Sequence, residues 1–123
     1  MRRAVVLALA CGVCPLAALA QPAATPGFNS ASNVYRCAGG VRLPVVYLNI
    51  VGGDSFATAY VNGTLALMRS GPTGSGANYY PVDEKLGYRW QVKGDVGNLW
   101  YRPANPSARE TVLLQECKAQ QVP

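Results

Sequence analysis

From residue 34 onward the chain alternates short apolar runs with turn residues, and no window of eleven or more residues carries apolar positions at helical spacing. The runs lie at 34–37, 43–51, 56–61, 64–68, 86–93, 98–102 and 111–117, with a shorter one around Tyr79 and Tyr80. Period-two alternation assigns their faces. In Tyr88-Arg89-Trp90-Gln91-Val92-Lys93 the tyrosine, tryptophan and valine point to one side, read as core, and the other three to the opposite side, read as surface. On the next run Leu99 and Tyr101 oppose Trp100 and Arg102, which leaves the face of Trp100 open. The sharpest joint is Tyr60-Val61-Asn62-Gly63-Thr64-Leu65, where Asn-Gly supplies the two positive-φ residues of a type I′ hairpin turn. Asn62-Gly63-Thr64 also fits the N-glycosylation pattern, but the turn accounts for it without glycosylation. Seven or eight strands in about 85 residues predict an all-β fold, a small antiparallel barrel or sandwich.

The N-terminus has a different character. Met1, Arg2 and Arg3 form a positive start, residues 4–10 are apolar, and Ala18-Leu19-Ala20 is a small-x-small pattern. This reads as a signal peptide, residues 1–20, cleaved after Ala20. Lipidation at Cys11 or Cys14 is the rival reading, although the residues before each do not form a Leu-small-small-Cys box. No later apolar run approaches the roughly 20 residues of a membrane-spanning helix. The expectation is therefore export to the periplasm without lasting membrane insertion. Residues 21–33, rich in Pro, Ala, Ser and Asn, read as a flexible lead, 34–118 as the folded domain and 119–123 as a tail.

Composition narrows the chemistry. Half the residues are hydrophobic, 14% are charged, and histidine is absent. A Ser-His-Asp hydrolase is thereby excluded, and the commonest metal ligand is missing. Asp83 and Glu84 are adjacent, so on an extended chain they face opposite ways and make a poor metal site. Loss of Arg2 and Arg3 with the leader lowers the formal charge from +5 to +3. The remaining Lys and Arg are spread along the chain, and most read as solvated surface charge; a nucleic-acid partner is not expected. Cleavage also leaves two cysteines, Cys37 and Cys117, in a compartment where disulfides persist, so a bridge between them is expected.

Two segments exceed ordinary sheet punctuation. Residues 69–78, RSGPTGSGAN, are small, hydroxyl-bearing and turn-forming, and read as a loop longer than a hairpin between adjacent strands needs. Simple flexibility explains such a composition equally well. In the second segment Lys93 closes the polar face of a strand just before Gly94-Asp95, where a lysine also serves as a guard against strand-to-strand aggregation.

Taken together, Gly74-Ser75-Gly76-Ala77-Asn78-Tyr79, then Tyr88-x-x-x-x-Lys93-Gly94-Asp95, between Cys37 and Cys117, resembles the bacterial inhibitors of C-type lysozyme in their periplasmic form. The resemblance covers roughly residues 34–118. It implies an eight-stranded antiparallel β-barrel with one disulfide, no catalytic residue and no cofactor. It also implies a lysozyme partner whose cleft is entered by the serine-bearing loop. The inhibitory serine maps to Ser75 and the inhibitory lysine to Lys93, with Gly74, Gly76, Ala77, Asn78, Tyr79, Tyr88 and Gly94 as the other matched positions. A homodimer is compatible with this reading. The chain departs from the pattern in three places. The serine-to-lysine spacing of 18 is long, with the extra residues at 81–87; Val92 stands where many members carry a hydroxyl; and Asn78 stands where some carry a basic residue.

Two other functions compete. A Ser-Lys hydrolase would need a buried, neutral Lys93 within reach of Ser75, whereas alternation puts Lys93 on the polar face. A secreted glycan-binding module would use Tyr79, Tyr80, Tyr88 and Trp100 as stacking surfaces, although aromatics in small β domains are more often core.

Overall fold

Alternating strands joined by short turns can close on themselves, and this chain does so. A computed structural model describes residues 27–105 and 107–120. The leader, its cleavage site, Cys11 and Cys14 lie outside the described residues. Eight strands follow in order: β1 (Phe28–Arg36), β2 (Arg42–Ile50), β3 (Ser55–Val61), β4 (Thr64–Gly71), β5 (Ala77–Pro81), β6 (Tyr88–Lys93), β7 (Val96–Tyr101) and β8 (Thr111–Ala119). Each pairs antiparallel with its sequence neighbour, and β8 returns to β1, so the sheet is a closed barrel rather than a sandwich.

The barrel is filled from within by alternate residues, small ones facing large ones. Ala57, Ala59 and Ala66 leave room for Met68, Leu99 and Trp90, all fully buried or nearly so. Trp90 is the centre of the filling. Its ring meets Tyr35 edge-on at 4.9 Å, and its Nε1 donates to Tyr47 Oη at 2.8 Å. The Tyr47 and Tyr35 hydroxyls share a hydrogen bond of 2.7 Å. Burial pushes the Tyr47 phenol upward, so it stays neutral and gives the buried indole N–H a partner. On the strand beside Trp90, Gly97 cannot be replaced at no cost: a Cβ there would fall 2.3 Å from Trp90 Cη2.

The hairpin between β3 and β4 forms at Asn62 and Gly63, with φ of 50° and 74°, as the sequence predicts. Alternation also holds on β6, where Trp90 is interior, and Trp100 resolves to the outer face. Three boundaries differ from expectation. β1 begins at Phe28, inside the segment read as a flexible lead. Its polar residues pair with β2 over the whole of Phe28–Arg36, and their exposed side chains disguise the strand as linker. β4 runs on to Gly71 and pairs with Asn78–Pro81, so the expected ten-residue loop contracts to residues 72–76. β8 continues through Ala119, which pairs with Tyr35 and so belongs to the barrel rather than to the tail.

That last pairing is the weakest seam, with only Tyr35↔Ala119 and Arg36↔Lys118 in register. The Cys37–Cys117 disulfide lies directly beside it, joining the residue after β1 to a residue within β8. The up-and-down order puts the loops at 51–54, 72–76 and 94–95 at one end of the barrel. Residues 82–87, which hold the extra length between Ser75 and Lys93, connect β5 to β6 at the other end.

Candidate functional site

Residues 72–76 and the turn at Gly94 and Asp95 share one end of the barrel, and the backbone brings them together. At the start of the loop Gly71 lies under the Tyr80 ring, where a Cβ would approach Cδ2 to 2.6 Å. At its end Gly76 has φ +70°, and a Cβ there would fall 2.5 Å from Val92 O and 3.2 Å from Lys93 Cα. The loop is thus pressed onto the last two residues of β6, a contact only glycine permits at that φ. Lys93 pairs with Val96 across a two-residue turn that has positive φ at Gly94 and not at Asp95, the pattern of a type II′ turn. This fixes Lys93 at the rim, its side chain exposed on the outer face.

Ser75 and Lys93 consequently line one open depression, together with Gln91, Val96 and Asn98. Gln91 and Asn98 face each other across β6 and β7. The Gln91 Oε1 accepts from Trp100 Nε1 at 3.3 Å. Among the described residues the ion pairs are Arg69–Asp54 and Arg89–Glu110, and Lys93 takes part in neither. Chemically the depression offers one hydroxyl, one ammonium and two carboxamides to an outside group. A larger groove beneath 82–87 and 102–105 contains neither Ser75 nor Lys93.

The loop is tied down from one side by a hydrogen-bond chain. Thr73 Oγ1 donates to Ser75 O at 2.8 Å and accepts from Asn78 Nδ2 at 3.0 Å. Asn78 Oδ1 accepts from Arg89 Nη1 at 2.7 Å, and Arg89 grips Glu110 with Nε and Nη2 at 2.9 and 2.7 Å. The guanidinium also lies 5.2 Å from the Trp100 ring centroid. The hydrogen bonds from Arg89 hold the Glu110 carboxyl below its ordinary value, and those to Glu110 raise Arg89. From the other side Tyr80 Oη donates to Pro72 O at 3.2 Å.

The expected site residues therefore separate. Gly74, Ser75, Gly76, Lys93 and Gly94 are exposed at the loop end, and Ala77 follows at the start of β5. Asn78 is nearly buried beneath the loop, its amide engaged on both sides. Tyr79 faces the interior against Tyr47, and Tyr88 packs on the core at the far end of β6 from Lys93, so neither offers a contact surface beside the loop. The stacking platform of four aromatics is broken for the same reason. Val92 also packs against the core. Sequence reading missed Arg89 and Glu110 as a pair, because 21 residues and the whole of β7 separate them. No local signal marks the pair, because in the sequence Arg89 is one of several arginines spread along the chain.

Comparison with known proteins follows the same lines. The family described as membrane-bound lysozyme-inhibitor of c-type lysozyme matches residues 35–107. Among solved structures, the periplasmic lysozyme inhibitor of C-type lysozyme from Salmonella typhimurium is 22% identical, with a TM-score of 0.62 over 74% of this chain and 98% of that one. Pseudomonas aeruginosa MliC, solved in complex with hen egg white lysozyme, is 23% identical, with a TM-score of 0.58 over 89% of this chain and all of that one. No curated protein matches. At these identities the two structures attest the barrel.

Proposed function

We propose, from the premise that this chain belongs to the family of membrane-bound lysozyme inhibitors of c-type lysozyme, that it blocks such an enzyme by inserting Ser75 and Lys93 beside the catalytic carboxylates. The observation that carries the reading is the shared depression: the loop is pressed against the end of β6, so hydroxyl and ammonium are presented from one surface. A glycosidase of this class works with one carboxyl protonated as acid and the other ionised. The Lys93 ammonium forms a charge-assisted pair with the ionised group and opposes reprotonation of its neighbour. The Ser75 hydroxyl donates or accepts, and so suits either protonation state. No bond is made or broken; the sugar site is occluded. A Ser-Lys hydrolytic role finds no support, since Lys93 is exposed rather than buried in the apolar setting that would neutralise it. Action in the periplasm, after cleavage behind Ala20, belongs to the same proposal, and among the described residues no helix is long and apolar enough to cross a membrane.

The test is inhibition of a C-type lysozyme by the mature chain, Ser75→Ala and Lys93→Ala, with thermal melts alongside. Both substitutions lie on exposed side chains and leave the melts unchanged. Loss of the serine contact weakens inhibition by about 1 kcal/mol, and loss of the lysine, which strands a desolvated carboxylate, by about 2–5 kcal/mol. Full inhibition by both folded variants would refute the assignment.

A further inference from the structure

We infer that Thr73 and Asn78, anchored through Arg89 to Glu110, are positioning residues that hold the Ser75 loop in one conformation before a partner arrives. The inference rests on the reading of Ser75 as the residue the loop delivers. The chain of hydrogen bonds is continuous, and each link fixes the polarity of the next. Ionised Glu110 only accepts, and it takes two bonds from Arg89. A third guanidinium nitrogen then donates to Asn78 Oδ1, so the amide oxygen is committed and Asn78 Nδ2 is left to donate to Thr73 Oγ1. Having accepted that bond, Thr73 spends its single proton on Ser75 O. Turning the Asn78 amide over would set donor against donor at Arg89, so Glu110 dictates the loop geometry from the position just before β8, 35 residues beyond Ser75.

Burial is deepest midway along the same path. The Arg89 and Glu110 side chains are 17% and 24% exposed, Asn78 is 8% exposed, and Thr73 and Ser75 stand in solvent. The network thus transmits order from packed strands to the exposed part of a five-residue, glycine-bearing loop whose end rests on β6 at Gly76. Such a loop, left free, would spend only a fraction of its time in the delivering conformation, and apparent affinity would drop by that fraction.

The experiment uses the mature chain labelled with 15N, as wild type, Thr73→Val, Thr73→Ser and Asn78→Asp, with amide relaxation and lysozyme inhibition measured on each. Thr73→Val keeps the shape and removes both hydroxyl bonds, whereas Asn78→Asp keeps the acceptor for Arg89 and removes the donor to Thr73. The expected result is that order parameters at residues 74–76 fall from about 0.85 to below about 0.6 in both, while strand values hold. Inhibition weakens roughly 3–10-fold with them, and Thr73→Ser preserves both readouts. Loop amides as ordered in Thr73→Val and Asn78→Asp as in wild type would overturn the network. Disordered loops with undiminished inhibition would overturn its role in delivery. Should wild type leave lysozyme untouched, the Ser75 reading falls, while the relaxation comparison still decides whether the network orders the loop.

Discussion

Gly74 and Gly76 flank the same serine, yet their surroundings predict opposite responses to alanine. At Gly76 a Cβ would sit 2.5 Å from Val92 O and 3.2 Å from both Cα and Cβ of Lys93, with φ at +70°. An alanine in that left-handed conformation costs about 1–2 kcal/mol. The contact adds a further cost of about 1–3 kcal/mol typical of overpacking, because the opposing atom is a backbone carbonyl that cannot rotate aside. The loop can relieve part of this by lifting off β6 by somewhat under ~1 Å, so the net destabilisation is about 2–4 kcal/mol. For a domain of this size that lowers Tm by very roughly 10–25 °C. Lifting also moves Ser75 away from Lys93, and loss of the serine contact weakens inhibition by about 1 kcal/mol, some fivefold. At Gly74 nothing lies within 4 Å of the added Cβ and φ is ordinary, so Gly74→Ala leaves the melt within about 0.5 kcal/mol of wild type or slightly stabilises it. Thermal melts of the two variants side by side, followed by inhibition assays on the folded forms, decide the matter. Equal melting of Gly74→Ala and Gly76→Ala would refute the packing of the loop against β6.

Three further outcomes follow from the barrel. Gly97→Ala drives a methyl group into the buried Trp90 ring and costs about 1–3 kcal/mol in a denaturant melt, a loss that Trp90→Phe in the same chain partly reverses. Replacing both Cys37 and Cys117 by serine releases a loop of 80 residues beside the two-pair closing seam; the chain-entropy argument puts the loss near 4–5 kcal/mol, read as a melt in the oxidised wild type against the variant. Glu110 is held below its ordinary value, chiefly by the hydrogen bonds from Arg89. Its contribution to stability is therefore fully present above the unfolded carboxylate range and is lost as pH falls through the lowered folded value. Melts between pH 7 and about 3 should accordingly fall more steeply for wild type than for Glu110→Gln, and parallel curves would contradict the pairing.

Much of the fold was legible because it rests on local rules. The Asn62-Gly63 turn, the alternation that buries Trp90, and the bridge between Cys37 and Cys117 each follow from neighbouring residues or from counting. The errors have a common physical cause, which is that strand ends depend on partners remote in sequence. Residues 28–33 look like linker until β2 supplies their ladder, and Arg69–Gly71 look like loop until β5 pairs with them. At the site, the positions of Ser75 and Lys93 were readable from motif order, but what holds them together was not. Gly76 matters for its contact with Val92 O, and Arg89 for a carboxylate beyond the next strand, and neither contact leaves a local trace. The long 82–87 connection, a departure in the sequence, lies at the end of the barrel away from the serine loop.

The central claim is that the loop end of this barrel occupies the sugar cleft of a C-type lysozyme, and competition tests it most directly. Binding of the mature chain to lysozyme would be titrated by calorimetry with and without a saturating N-acetylglucosamine trimer. The account predicts that apparent affinity falls in proportion to occupancy of the cleft by the saccharide. Undiminished affinity at saturating saccharide would contradict it.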